Sequence, residues 1–184
     1  APFDYSGVDA VASATPLALL AGGADAVASA SSAAGGAQLP SLMQMFLGVK
    51  AGCIGEVSAL ALLIGGVYLV ARRVIKPITP LVFIGTVFVF SGILGADPVY
   101  QILSGGLMIG AIFMATDYAT TPTTNWGKAV FGLGAGLLTV LIRQYGNYPE
   151  GVSFAILLMN ILTPQIDKLL TRKPLGGKKV EKHA

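Results

Sequence analysis

From residue 54 onward the chain alternates long apolar runs with short breaks that carry charge, glycine or proline. Five runs stand out, at 54–70, 78–94, 99–115, 128–145 and 152–170. Each is about 17–20 residues, the length that crosses roughly 30 Å of hydrocarbon at about 1.5 Å of rise per residue. Their apolar residues fall in blocks rather than one-sided stripes, as expected of helices with apolar surroundings on every side. The breaks are turn-like: Lys76-Pro77, Gly95-Ala96-Asp97-Pro98, Thr121-Pro122 and Asn147-Tyr148-Pro149-Glu150-Gly151. A shorter run, 42–49, is too brief to span alone and reads as an interfacial or re-entrant piece. Residues 1–41 contain no run able to cross a bilayer; they are rich in Ala, Ser and Gly, with acids at Asp4, Asp9 and Asp25. The predicted fold is all-α, a polytopic membrane bundle of about five transmembrane helices. Its parts are an extramembrane segment (1–41), a transmembrane domain (42–170) and a basic tail (171–184).

Composition supports this reading. Apolar residues make up 54% of the chain and charged residues only 11%, where a soluble domain carries roughly a quarter charged. The 24 glycines suit helices that pack closely in lipid. Cys53 is the single cysteine, so no internal disulfide forms and no four-thiolate iron–sulfur cluster can be held. It reads as a small helix residue.

The net charge of +3 matters less than where the basic residues fall. They form no continuous basic face, so nucleic acid is not an expected partner. If the end of the first run is cytoplasmic, then Arg72, Arg73, Lys76, Lys128, Lys168, Arg172, Lys173, Lys178, Lys179 and Lys182 all face inward. Only Lys50 and Arg143 remain on the other side. The positive-inside rule selects this orientation, and an odd number of crossings then places residues 1–41 on the outer face. That step fails if the 42–49 run crosses as a span of its own. The expected location is therefore the cytoplasmic (inner) membrane of a bacterial or archaeal cell, with the C-terminus inside.

One short stretch outside the runs suggests chemistry: Asp9-Ala10-Val11-Ala12-Ser13-Ala14-Thr15-Pro16-Leu17. It resembles the acceptor sequence of periplasmic flavin transferases, whose pattern is Asp-x-x-(Ser/Thr)-(Gly/Ser)-Ala-Thr. In that family the last Thr hydroxyl displaces AMP from FAD and retains FMN as a phosphoester. The resemblance makes Thr15 the attachment point, with Asp9, Ser13 and Ala14 as the recognition residues. Ala12 departs from the pattern, standing where Ser or Thr is usual. A threonine hydroxyl needs an activating base to act as a nucleophile, so the chemistry falls to the transferase and this chain supplies the acceptor. Read structurally, the same stretch is a Ser/Ala-rich loop in which Thr15-Pro16 opens a turn or helix. The motif has a near-copy at Asp25-Ala-Val-Ala-Ser-Ala-Ser31, which lacks the following Pro-Leu, so Ser31 is the weaker acceptor.

Longer stretches extend the resemblance: 52–66, 105–117, Arg143-Gln144-Tyr145-Gly146 and Pro149-Glu150-Gly151. Together they are similar to the D subunit of the Rnf electron-transport complex and, more distantly, to the B subunit of the sodium-translocating NADH:quinone reductase. The resemblance runs over nearly the whole chain and corresponds to the C-terminal half of the Rnf protein, so the chain is expected to be part of a longer one. It implies a membrane component of a redox-driven ion pump that couples ferredoxin–NAD electron transfer to sodium or proton movement. Covalent FMN would sit on the outer face, and a second, non-covalent flavin (riboflavin) is left open. Expected partners are the other Rnf-type subunits, the lipid bilayer and the flavin transferase. No residue of this chain is expected to be catalytic by itself, and no metal site is expected. Glu56 and Asp117, ionisable groups near span ends, are candidates for an ion path. The competing reading is a channel or secondary transporter with no redox cofactor, its Ser/Ala-rich arm an exposed loop. The glycines of Gly105-Gly106 and Gly110 read as helix-packing surfaces.

Overall fold

The structure, a computed structural model, describes residues 41–48, 58–146 and 150–170. Within these residues it is all-helical. The elements in order are α1 (Leu42–Leu47), α2 (Ala59–Ala71), α3 (Ile78–Ile93), α4 (Pro98–Leu103), α5 (Leu107–Ile109), a π-helical turn (Gly110–Met114), α6 (Asn125–Tyr145) and α7 (Val152–Leu169).

Helix limits follow local chemistry. The side chains of Ser41, Ser58, Asp97 and Thr124 accept backbone N–H groups at the starts of α1, α2, α4 and α6. Several C-terminal ends close through a left-handed residue, among them Gly48 (φ 97°) after α1 and Gly105 (φ 64°) after α4. After α3 it is Gly95 (φ 77°), the usual choice. After α2 it is Arg73 (φ 57°), among described residues the only non-glycine with positive φ. A side chain in that conformation costs about 1–3 kcal/mol and persists where its surroundings demand it.

Helices α6 (21 residues) and α7 (18 residues) are long and apolar enough to cross a membrane. The shorter α2 and α3 are apolar too, at 13 and 16 residues. The first predicted run began at 54, but α2 begins at Ala59, because Ser58 caps it. Prediction and structure agree within a few residues for α3, α6 and α7.

The bundle centres on α3 against α6, then α6 against α7. Phe83, Val87, Leu107, Ala111, Phe131 and Ala135 are fully buried between them. Close approach needs small residues. A Cβ on Gly132 would lie 2.9 Å from the Thr79 carbonyl, and one on Gly136 would lie 2.7 Å from the Thr86 Cβ. These glycines stand four apart on one face of α6, the spacing that lets membrane helices touch backbone to backbone. Gly110 likewise lies against Val152 and Ile156 of α7, in keeping with its expected packing role.

The outer surface is inverted relative to a water-soluble bundle. Ile64, Val67, Leu81, Ile93, Leu157 and Ile161 are each more than half exposed. Surface apolar groups on this scale require lipid or partner subunits to cover them. Buried hydroxyls return their protons to the helix, Thr86 to the Val82 carbonyl at 2.7 Å and Thr139 to the Ala135 carbonyl at 2.8 Å.

One expectation is corrected. The run 99–115 is not one helix. It breaks at Ser104-Gly105-Gly106, where Gly105 takes φ 64°, and resumes as α5 and the π turn. Hydropathy cannot detect this, because the residues on either side of the break stay apolar enough to extend the block. The run still connects the two ends of the bundle. Pro98 lies where α3 ends, and Thr116 lines a cavity with Lys76 and Thr79 where α3 begins.

Candidate functional site

Thr15, Asp9, Ser13, Ala14, Ser31 and Glu56 lie outside the described residues. Of the sequence-predicted site residues, Asp117 alone is described. Two arrangements that the sequence did not reveal occupy opposite ends of the bundle, with a polar residue midway.

The first is the interrupted helix. Breaking a helix inside an apolar layer leaves carbonyls at the end of one piece and N–H groups at the start of the next. Both are satisfied by charged residues from other parts of the chain. Arg143, on the last turn of α6 and 7% exposed, donates from Nη1 to the Gln101 carbonyl at 2.6 Å and to Gln101 Oε1 at 3.1 Å. Its Nη2 donates to the Ser104 carbonyl at 3.3 Å. Glu150, just before α7, accepts the Gly106 N–H on Oε2 at 3.1 Å. A cation therefore meets carbonyls at the end of α4, and an anion meets the start of α5, the signs that the helix dipole favours. The Ser104 hydroxyl is buried at the break with no hydrogen-bond partner among the described residues.

Arg143 was expected on the side away from most basic residues, and it lies there. Arg72, Arg73, Lys76, Lys128 and Lys168 gather at the opposite end. There Lys76 Nζ donates to Asn125 Oδ1 at 2.9 Å, and the Tyr118 hydroxyl donates to the Val74 carbonyl at 2.8 Å. The Thr123 N–H donates to Asp167 Oδ1 at 3.1 Å. Gly48 lies against Ser58, at the start of α2, so the chain preceding α2 emerges at the Arg143 end. α1 has six residues, too few to cross a membrane by itself, and packs on α2 and α4.

At the basic end a cavity of about 350 Å³ opens between the α2–α3 turn and the loop 116–124. Arg73, Lys76 and Lys128 contribute to its wall, together with Thr79, Thr116 and Asp117. Asp117 is exposed and accepts from the Thr120 hydroxyl at 3.3 Å. The cavity wall thus combines three cations with the carboxylate that the sequence offered as an ion-path group. Such surroundings attract anions more than they conduct cations.

Midway along α7, Pro164 has no N–H, so the Asn160 carbonyl loses its helical donor. The Asn160 side-chain oxygen is also buried with no partner among the described residues. Two acceptors therefore meet near the middle of a membrane-length helix. No group of three or more His, Cys, Asp or Glu residues suited to a metal ion occurs among the described residues.

Known proteins share this sequence over long stretches. The chain is 44% identical over 178 residues to the D subunit of the Na(+)-translocating ferredoxin:NAD(+) oxidoreductase complex of Acetobacterium woodii, covering 96% of this chain and 52% of that protein. It is 45% identical over 181 residues to the D subunit of the proton-translocating ferredoxin:NAD(+) oxidoreductase complex of Clostridium ljungdahlii, covering 95% and 54%. The D subunit of the ion-translocating oxidoreductase complex of Stutzerimonas stutzeri is 40% identical over 142 residues, covering 73% and 40%. The chain spans about half the length of the relatives it matches most extensively. A family profile matches residues 2–176, and with these identities it shows that the chain belongs to the NQR2, RnfD, RnfE family of membrane proteins.

Proposed function

We propose that this chain is the flavin-bearing membrane part of an Rnf-type complex that transfers electrons between ferredoxin and NAD and moves sodium ions or protons across the membrane. The observation that carries the reading is extensive identity to subunits named for that activity, at 44% and 45% over nearly the whole chain. The Asp9–Thr15 sequence supports FMN as the redox group, bonded to the Thr15 hydroxyl through its phosphate. FMN supplies the electron-carrying chemistry when attached; the protein holds it and sets its surroundings.

The collection of Arg72, Arg73, Lys76, Lys128 and Lys168 at one end of the bundle supports that end as cytoplasmic. The chain before α2 emerges at the opposite end, which favours an outer-face position for Thr15, where a periplasmic transferase would work. The broken helix and the Asn160 acceptors are features that membrane transporters use to line ion paths. They support an ion-conducting role for the bundle itself, alongside the other subunits that the complex requires.

In-gel fluorescence of the denatured protein, produced with a flavin transferase, tests the reading. The wild type is expected to fluoresce, Thr15→Ala to be dark, and Ser31→Ala to match the wild type. Fluorescence retained in Thr15→Ala moves the attachment elsewhere. A dark wild type removes the covalent flavin and leaves the cofactor-free transporter as the better reading.

A further inference from the structure

The cavity at the basic end is built for an anion, and nothing in the flavin reading uses it. Arg73, Lys76 and Lys128 converge on it from the α2–α3 turn and from α6, against one carboxylate in the wall, Asp117. Lys76 has a neutral partner, the Asn125 side-chain oxygen. Nearby, Asp167 accepts from the Thr123 N–H and hydroxyl. Arg73 reaches the rim from a left-handed backbone position where glycine is the usual residue.

Two further features select the shape of the anion. α3 starts here behind Pro77, which offers no side chain to cap it, so first-turn N–H groups of a 16-residue helix face this end. Thr79, in that same turn, is 1% exposed and lines the cavity. A buried hydroxyl beside uncapped N–H groups and three cations matches a tetrahedral oxyanion with several acceptor oxygens. The volume, about 350 Å³, is roughly that of ten waters. A phosphate group fills only part of it, leaving room for the glycerol of a headgroup. The cavity also lies at the end of an apolar bundle, where lipid headgroups would lie.

We infer that this cavity is a phosphate-binding site that takes the phosphodiester of an anionic phospholipid of the inner leaflet, with free phosphate as the alternative source of the same chemistry. Arg73, Lys76 and Lys128 supply the charge, and Thr79 with the start of α3 supplies directional donors. The inference is independent of the flavin, and its test reads no flavin signal.

The test is native mass spectrometry of the purified protein in detergent, titrated with phosphatidylglycerol or with phosphatidylcholine. The site predicts one phosphatidylglycerol retained in preference to phosphatidylcholine. Lys76→Gln and Lys128→Gln are each expected to weaken retention about fivefold. Arg72→Gln, the same charge change at the same end but off the cavity wall, is expected to leave it unchanged. Thr79→Val, which alters no charge, is expected to weaken retention, and Thr79→Ser to restore it. Displacement of the lipid by inorganic phosphate, or stabilisation of the protein by phosphate alone, identifies free phosphate as the natural source. Persistence of the lipid identifies the headgroup. The inference is overturned if neither phosphatidylglycerol nor phosphate binds. It is equally overturned if Arg72→Gln weakens retention as much as Lys76→Gln while Thr79→Val does not, since that is diffuse attraction to a basic surface.

Discussion

Replacing Arg143 with Leu tests how the interrupted helix is held. The guanidinium makes one short bond to the Gln101 carbonyl (2.6 Å), one to Gln101 Oε1 (3.1 Å) and a longer one to the Ser104 carbonyl (3.3 Å). A hydrogen bond to a charged group contributes about 1.5–3 kcal/mol, and a carbonyl left buried without a donor costs about 1–3 kcal/mol. The terms overlap, and removing the guanidinium also relieves its own desolvation. The net loss expected is about 3 kcal/mol, near the lower end of the range for breaking a buried charged contact. For a chain of this size that lowers the melting temperature by roughly 6–12 °C. The assay is thermal unfolding in detergent, followed by the fluorescence of Trp126, the single tryptophan. Hydrogen exchange across 101–107 reads the break directly. Arg143→Lys keeps the charge but loses the two-pronged reach, so it falls between wild type and Arg143→Leu. Gln101→Ala removes only the side-chain acceptor and costs about 1 kcal/mol. If Arg143→Leu melts with the wild type and exchange across 101–107 is unchanged, the guanidinium does not hold the break.

Other expectations follow from the packing and the polar atoms within it. Gly132→Ala places a methyl 2.9 Å from the Thr79 carbonyl and 3.2 Å from the Phe83 nitrogen, both backbone atoms that cannot step aside. It should destabilise by about 1–3 kcal/mol in a thermal melt. Gly85→Ala on the facing helix meets nothing within 4 Å, so it should be neutral or stabilise by up to about 1 kcal/mol, and the two together form an internal control. Asn160→Leu removes a buried oxygen that has no partner among the described residues and should raise the melting temperature. In reconstituted vesicles of the complex, the same change should lower redox-driven ion transport if the Asn160 acceptors lie on the ion path; unchanged transport removes Asn160 from that path. Glu150→Gln keeps an acceptor for the Gly106 N–H but loses its charge, so exchange at Gly106 should rise less than in Glu150→Ala.

Much of this architecture was legible along the chain, for a physical reason. A membrane-length helix is specified by length and apolarity, both of them local properties, so α3, α6 and α7 appear within a few residues of the runs that predict them. Basic residues sort by loop, so their gathering at one end was also readable. The interruption of the third run was not. Ser104-Gly105-Gly106 is compatible with a close-packed helix, and only Arg143 and Glu150, distant in sequence, make the broken form stable by meeting its unpaired backbone groups. A pair of adjacent glycines inside an apolar run, with a charged residue bounding a later one, was the one available signal.

The same division holds for the sites. The proposed acceptor sequence ending at Thr15 is a contiguous stretch, so apart from the departure at Ala12 it could be read along the chain. The basic cavity is assembled from separate segments: Arg73, Lys76 and Thr79 from the α2–α3 turn and the start of α3, Thr116 and Asp117 from the loop after the π turn, and Lys128 from α6. Asp117 looked like a lone carboxylate at a span end; it shares a cavity wall with three cations only once α2, α3 and α6 are packed. Apolar length and charge placement are summed along the chain, so sequence alone determined a membrane helix bundle with one basic end. Hydrogen bonding of a broken backbone and convergence of charge depend on distances between segments, and those were decided by tertiary structure.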